Sequence, residues 1–163
     1  MIRLTPTEAS RRALDRFLDL ADALSAPTRE DMQPIQDVIR ANFAANFAGE
    51  VGDDARWAPL APRTVRERIA RGYPGTHPIL ERSGEYRRSF VEGDHPQHYS
   101  RAEAAGGRWL IEEGSTDERA DRLEFGDYRT PARPVTLPGK RGEGRIEIVI
   151  DQVFGDWFEE AQP

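Results

Sequence analysis

The sequence predicts an α+β fold, on three observations. Two apolar-periodic stretches occupy the first third, two extended segments flank a double glycine in the middle, and a long amphipathic stretch closes the chain. The chain has 163 residues, 37% apolar and 32% charged. That length fits one domain over 1–163, with a helical module at 1–48 and an α+β body at 49–163. A domain of this size buries about 70% of the surface its unfolded chain exposes.

Over 6–24 there is no glycine or internal proline, and Leu14, Phe17, Leu18, Ala21 and Leu24 recur at helical spacing. Thr5 or Thr7 caps this helix, and Ser25-Ala26-Pro27 ends it. A second helix begins near Asp31, because Pro34 is tolerable only in a first turn. Its stripe is Ile35, Val38, Ile39, Phe43 and Phe47, and Gly49 stops it. The short connection makes the two helices antiparallel.

Glycines and prolines then break the pattern over 49–78, leaving structured loop and one helix over 62–71 with Val65 and Ile69 facing inward. Gly72 suits the position after that helix. Ser83-Gly84-Glu85 opens another short helix reaching Phe90. Segments 97–102 and 108–113 form an antiparallel hairpin around Gly106-Gly107. Thr116 caps a short helix ending at Phe125-Gly126, and the prolines over 131–138 exclude a central strand. Ile146, Val149, Ile150, Val153, Phe154, Trp157 and Phe158 make one apolar helix face, with Gly155 its weak point. Ile146, Ile148 and Ile150 also alternate, which leaves a strand open for the first turns. Val153, Phe154 and Trp157 are expected to be buried against the N-terminal helices or a neighbour.

Composition limits the chemistry. With no cysteine, neither a disulfide framework nor a thiolate metal site is possible. No apolar run approaches the ~20 residues that cross a bilayer, and charges near the N-terminus argue against a signal peptide, so a soluble cytosolic chain is expected. The net charge of −6 disfavours a generic nucleic-acid binder. Lys140 is the single lysine, so the remaining cations are arginines, suited to bidentate pairs and interfaces unless codon usage alone accounts for them. His77, His95 and His98 read as loop histidines, since their spacing matches no zinc helix. The pairs Glu112-Glu113 and Glu159-Glu160 diverge as neighbours on a solvated face. No nucleophile elbow or phosphate loop occurs. No catalytic residue, cofactor or metal is expected, and a hydrolase would lack its nucleophile–base pair.

Charge is segregated instead. Segment 56–88 holds eight arginines against Glu67, Glu81 and Glu85, while segment 112–127 holds seven acids against Arg119 and Arg122. The two pair within one subunit or meet head to tail between neighbours, the contact that closes rings. Candidate interface residues are Arg63, Arg66, Arg68, Arg133, Glu112, Glu113 and Glu124.

Four blocks stand in order: Trp57 with Pro59-Leu60 and Thr64; Ile79-Leu80, Ser83-Gly84 and Ser89; Phe125-Gly126; and Pro131, Arg133 and Pro134. Over about 35–160 this order resembles the virion morphogenesis, or tail completion, family of tailed bacteriophages. The chain departs from that pattern at Tyr86, where members carry leucine, and at Val135, where they carry phenylalanine. The resemblance implies a non-enzymatic virion protein at the head–tail junction or tail top, built as a ring expected to be six-fold. It would assemble in the host cytoplasm beside neck, connector or tail-tube proteins, with passive contact to genomic DNA in the lumen and none to membrane. Related readings are a head stopper or tail terminator, and a DNA-contacting packaging module using the basic segment. In residue terms, Trp57 is a core anchor or an interface hot spot. Gly84 and Gly126 serve backbone geometry or partner contact. Arg133, presented by the proline that follows it, pairs with a carboxylate within the chain or across subunits.

Overall fold

The computed structural model describes residues 29–105 and 108–160, side chains at 29, 104–109 and 157–160 excepted, together with Glu8, Arg12, Arg16 and Leu18. The expected first helix lies outside the described residues but for those four positions, which are helical and exposed. The architecture is α+β. In chain order the elements are α1 (Arg29–Gly49), β1 (Val51–Gly52), β2 (Ala55–Arg56), α2 (Pro62–Ala70), α3 (Glu85–Val91), β3 (His98–Ala105), β4 (Arg108–Ser115), α4 (Ala120–Phe125) and α5 (Gly139–Glu160).

Helix α1 starts earlier than the proline suggested. Glu30 and Asp31 occupy its first turn, where carboxylates favour the N-terminal end of the dipole, and Pro34 is accommodated beyond it. Its inward stripe is Met32, Ile35, Phe43 and Phe47, interleaved with buried Gln36, Asn42 and Asn46. The core continues from Phe43 and Phe47 through Trp57, Ile79, Tyr86 and Phe90 to Val135. Its rings meet edge to face, Phe47 on Trp57 at 5.7 Å and Tyr86 on Phe90 at 5.1 Å.

Two antiparallel ribbons carry the strands. The first, β1–β2, turns through Asp53 and Asp54, both at positive φ, the geometry of a tight two-residue hairpin. Its strands are too short to leave an alternation in the sequence. The second, β3–β4, pairs His98 with Ser115 through to Ala105 with Arg108. Compared with the expected 97–102 and 108–113, β3 runs three residues further toward the glycine turn and β4 two residues further from it, the turn itself falling outside the described residues.

Three expectations about short helices need correction. In α2 the buried side chain is Arg68, at 5% exposure, while Ile69 is 61% exposed and Val65 half-buried. Before α3 the capping position is Gly84, in the left-handed region, rather than Ser83. Likewise α4 begins at Ala120, with Thr116 engaged on the Gln97 carbonyl instead of capping the helix.

Helix α5 packs on α1, with Ile146, Val149, Ile150, Val153 and Phe154 half-buried. Ile148 is 59% exposed, as a helix face requires, so the alternating isoleucines are not a strand. The side chains of Trp157 and Phe158 lie outside the described residues. The helix begins at Gly139, where the Asp54 carboxylate accepts the Lys140 N–H at 3.0 Å. At Gly142 a Cβ would fall 2.3 Å from Asn42 Oδ1, so this glycine sets how closely α5 approaches α1. Nothing surrounds a Cβ at Gly144. Gly142→Ala should therefore cost about 1–3 kcal/mol by overpacking. Gly144→Ala should add about 0.5–1 kcal/mol of stability. Urea denaturation of both variants checks the opposite signs.

Candidate functional site

The first and last of the four blocks lock together. The Trp57 indole is buried, and its Nε1 donates to the Pro134 carbonyl at 3.0 Å. In return Arg133 crosses to the first block, donating Nε to the Ala58 carbonyl at 3.0 Å and a terminal nitrogen to Pro59 at 3.2 Å. Gly52 permits the approach, since a Cβ there would sit 2.0 Å from the Pro134 oxygen. Beyond it Val135, fully buried, donates its N–H to Glu124 at 2.7 Å, and Glu124 also receives the Thr136 N–H at 2.9 Å. Asn46 supplies the complementary donors, its Nδ2 donating to the carbonyls of Val135 and Leu137 at 2.8 and 2.9 Å. The carbonyls of Pro134, Val135 and Leu137 and the amides of Val135 and Thr136 thus each meet a side chain from elsewhere in the chain.

These contacts decide several candidate residues. Trp57 is a core anchor. Gly126, at φ 73°, lies where a Cβ would come 2.6 Å from the Ala132 nitrogen, so its role is backbone geometry; Gly84, at φ 81°, is likewise a conformational requirement. Arg133 directs its guanidinium to two backbone carbonyls rather than to a carboxylate of its own chain; burial pushes its pKa below the ordinary arginine value. Glu124 is likewise engaged within the chain, by the 135–136 amides. Val135 fills the core without the phenylalanine of the family pattern.

Glu113 too turns inward. Its side chain is fully buried, 3.3 Å from Arg40, 2.8 Å from His98 Nε2 and accepting from Ser100 Oγ at 2.7 Å. The His98 contact is an ion-pair approach rather than an aligned hydrogen bond. His98 Nδ1 engages the Ser89 carbonyl at 3.1 Å. This histidine opens a strand and is not a loop residue. His77 and His95 each face a carboxylate too, Glu50 at 2.6 Å and Glu85 at 3.2 Å. Ser89 is fully buried, bonded to the Tyr86 carbonyl and to Ser115 Oγ. Among the described residues no group of His, Asp and Glu has the geometry to hold a metal ion. Glu112 stays at the surface, accepting from Tyr99 and facing Arg101, while Arg63 and Arg66 are exposed on α2.

Between α2, α3, α4 and the loop over 129–133 lies a pocket of about 450 Å³. Six arginines line it, Arg68, Arg82, Arg119, Arg122, Arg129 and Arg133, against one acid, Glu67. Pro59, Leu60, Thr64, Leu80 and Pro131 line it as well, so three of the four blocks converge here. Phe125 of the remaining block is 79% exposed. Ile79 is buried in the core, Leu80 is held at φ 65° and Ser83 is exposed.

No family model, curated protein or solved structure matches this chain. The pocket must be read from its own chemistry.

Arg68 donates both terminal nitrogens to the Pro78 carbonyl at 3.0 Å. Arg119 forks onto Asp117 and stacks 5.4 Å over the Tyr86 ring. The Tyr86 hydroxyl is buried without a hydrogen-bond partner, as is Arg68 Nε. Burial drives the Tyr86 pKa up, with Glu124 and Asp117 adding to it, so the phenol stays protonated and able to donate.

Sequence reasoning did not find Asn42, Asn46 or Glu50, and singled out Tyr86 only as a departure from the family pattern. One signal existed: Asn42 and Asn46 are four apart and adjoin Phe43 and Phe47, which places two amides on the buried side of α1.

The Asp117–Arg119 fork also predicts a pH response. The bond from Arg119 holds the Asp117 pKa below its ordinary 3.8, against burial. Asp117 therefore contributes stability above that value, which is lost as pH falls through the lowered folded pKa. Glu50, where burial is outweighed by the Ile79 N–H and His77, acts in the same direction. Asp117→Asn should flatten the acid limb of the stability curve, measured as urea midpoints from near neutrality downward. An unchanged limb would remove Asp117 from this role.

Proposed function

We propose that the chain is a structural virion protein of a tailed phage or phage-like particle, completing the tail or joining tail to head as a homo-oligomeric ring. The observation carrying this reading is the ordered set of four blocks that resembles the tail completion family. Its support from the fold is that the first and last blocks interlock through Trp57 and Arg133, while three of the four reach one pocket. Residues far apart in sequence then act as one joint. Among the described residues no helix is long and apolar enough to cross a membrane.

The head-to-tail contact needs its charges from exposed residues. Arg63 and Arg66 on α2 supply the basic side. Glu143, Glu147 and Asp151, exposed at successive i+4 positions on α5, supply the acidic one. Glu113 and Glu124 do not, being consumed within the chain. Deleting the gene from a particle-forming system and imaging the products tests the reading. Separate heads and tails are expected, and normally joined particles would refute it. Reversing Arg63 and Arg66 to glutamate should lower incorporation into particles, whereas full incorporation would leave the charge contact without support.

A further inference from the structure

The ring reading leaves the arginine-lined pocket unused. We propose that it is a docking site for an acidic segment of a partner protein, whose carboxylates enter between Arg68, Arg133 and the Tyr86 hydroxyl. This goes beyond the ring reading and does not rest on it.

Three observations carry the assignment. Arg68 and Arg133 are each 5% exposed, and the contacts they make are to backbone carbonyls, so two buried positive charges meet neutral acceptors. A buried cation without a carboxylate partner is costly, and an entering carboxylate would relieve that cost. Next, Arg68 Nε and the Tyr86 hydroxyl are buried donors, on side chains that line the pocket, with no acceptor. Native proteins leave few such groups, and a ligand is one explanation for them. A carboxylate presents the bidentate acceptor that a guanidinium fork matches, with lone pairs left for a phenol.

The rim decides between a free anion and a peptide. Arg82 and Arg129 stack over Tyr73 and Tyr128, at 5.6 and 4.7 Å, and these tyrosines are 37% and 85% exposed. Exposed tyrosines backing arginines are the composition of a protein interface core, and a lone oxyanion would touch none of this surface. Nucleic acid fits less well. The site is a concave pocket rather than a track, and the chain's net charge of −6 repels a dense polyanion.

A labelled oligoglutamate peptide, titrated against the full chain by fluorescence anisotropy, tests the proposal. Inorganic phosphate and a single-stranded oligonucleotide serve as competing probes. Saturable one-to-one binding of the peptide is expected. Tyr86→Phe should weaken it about tenfold, the value of one hydrogen bond to a charged group, without lowering the melting temperature. Arg129→Ala, an exposed change, should weaken it as well. Peptide binding that ignores Tyr86→Phe would reveal mere surface charge attraction and overturn the site. Phosphate binding as tight as the peptide would overturn the peptide ligand, and tighter oligonucleotide binding would replace it with nucleic acid.

Discussion

Glu113→Ala should destabilise the protein by about 3–5 kcal/mol, because breaking a buried ion pair strands the remaining partners. Those partners are His98, with 2% of its side chain exposed, and Arg40, with 16%, which keeps Asp37 as a second carboxylate. Ser100 would lose its acceptor, and with it the link from Gln36 on α1, whose amide donates to the Ser100 hydroxyl at 2.8 Å. One carboxylate thus ties α1 to both strands of the β3–β4 ribbon. Glu113→Gln keeps an acceptor for Ser100 and should cost less than the alanine change. Urea unfolding of the two variants checks the order. A loss below about 1 kcal/mol for alanine would mean that the cluster is solvated in solution.

Trp57→Ala should cost about 3–5 kcal/mol, the range for a large buried aromatic. Two effects add. The core loses the ring that meets Phe47 edge to face, and the Pro134 carbonyl loses its donor. Trp57→Phe separates them, since it retains much of the ring and loses the N–H. The phenylalanine variant should cost about 1–3 kcal/mol, the penalty for a buried acceptor left unsatisfied. Equal losses in the two variants would assign the whole effect to the hydrogen bond. Differential scanning calorimetry resolves the difference.

Local patterns were legible and distant pairings were not. The stripes of α1 and α5 could be read because helical periodicity is written within a dozen residues. The hairpin β3–β4 was visible through its glycine turn. The inversion in α2 was not visible, because Arg68 and Ile69 are adjacent and a nine-residue helix gives periodicity little to count. What turns Arg68 inward is the Pro78 carbonyl, ten residues on and brought back by a loop. Arg133 was recognised as held in place, yet its carbonyl partners at Ala58 and Pro59 lie more than seventy residues away. The acidic segment illustrates the same limit: its charge was countable, but the burial of Glu113 and the use of Glu124 depend on tertiary neighbours. Asp54 as the cap of α5 had no local mark at all, since a carboxylate at position 54 serves a helix beginning at 139.

The loop after Arg133 is held by Asn46, by Glu124 and, at its far end, by Asp54. None of these anchors is its chain neighbour, so the loop closes only once three separate parts of the molecule have come together. That delays it in the order of folding. The contacts of Asn46 and Asp54 span 89 and 86 residues, and contacts of that separation are expected to form after the local helices and the hairpin have condensed. Removing an anchor should therefore accelerate unfolding and leave the refolding rate nearly unchanged. The resistance of this chain to brief unfolding is then set by a short proline-bounded segment with no regular structure, more than by the long helices that dominate its outline.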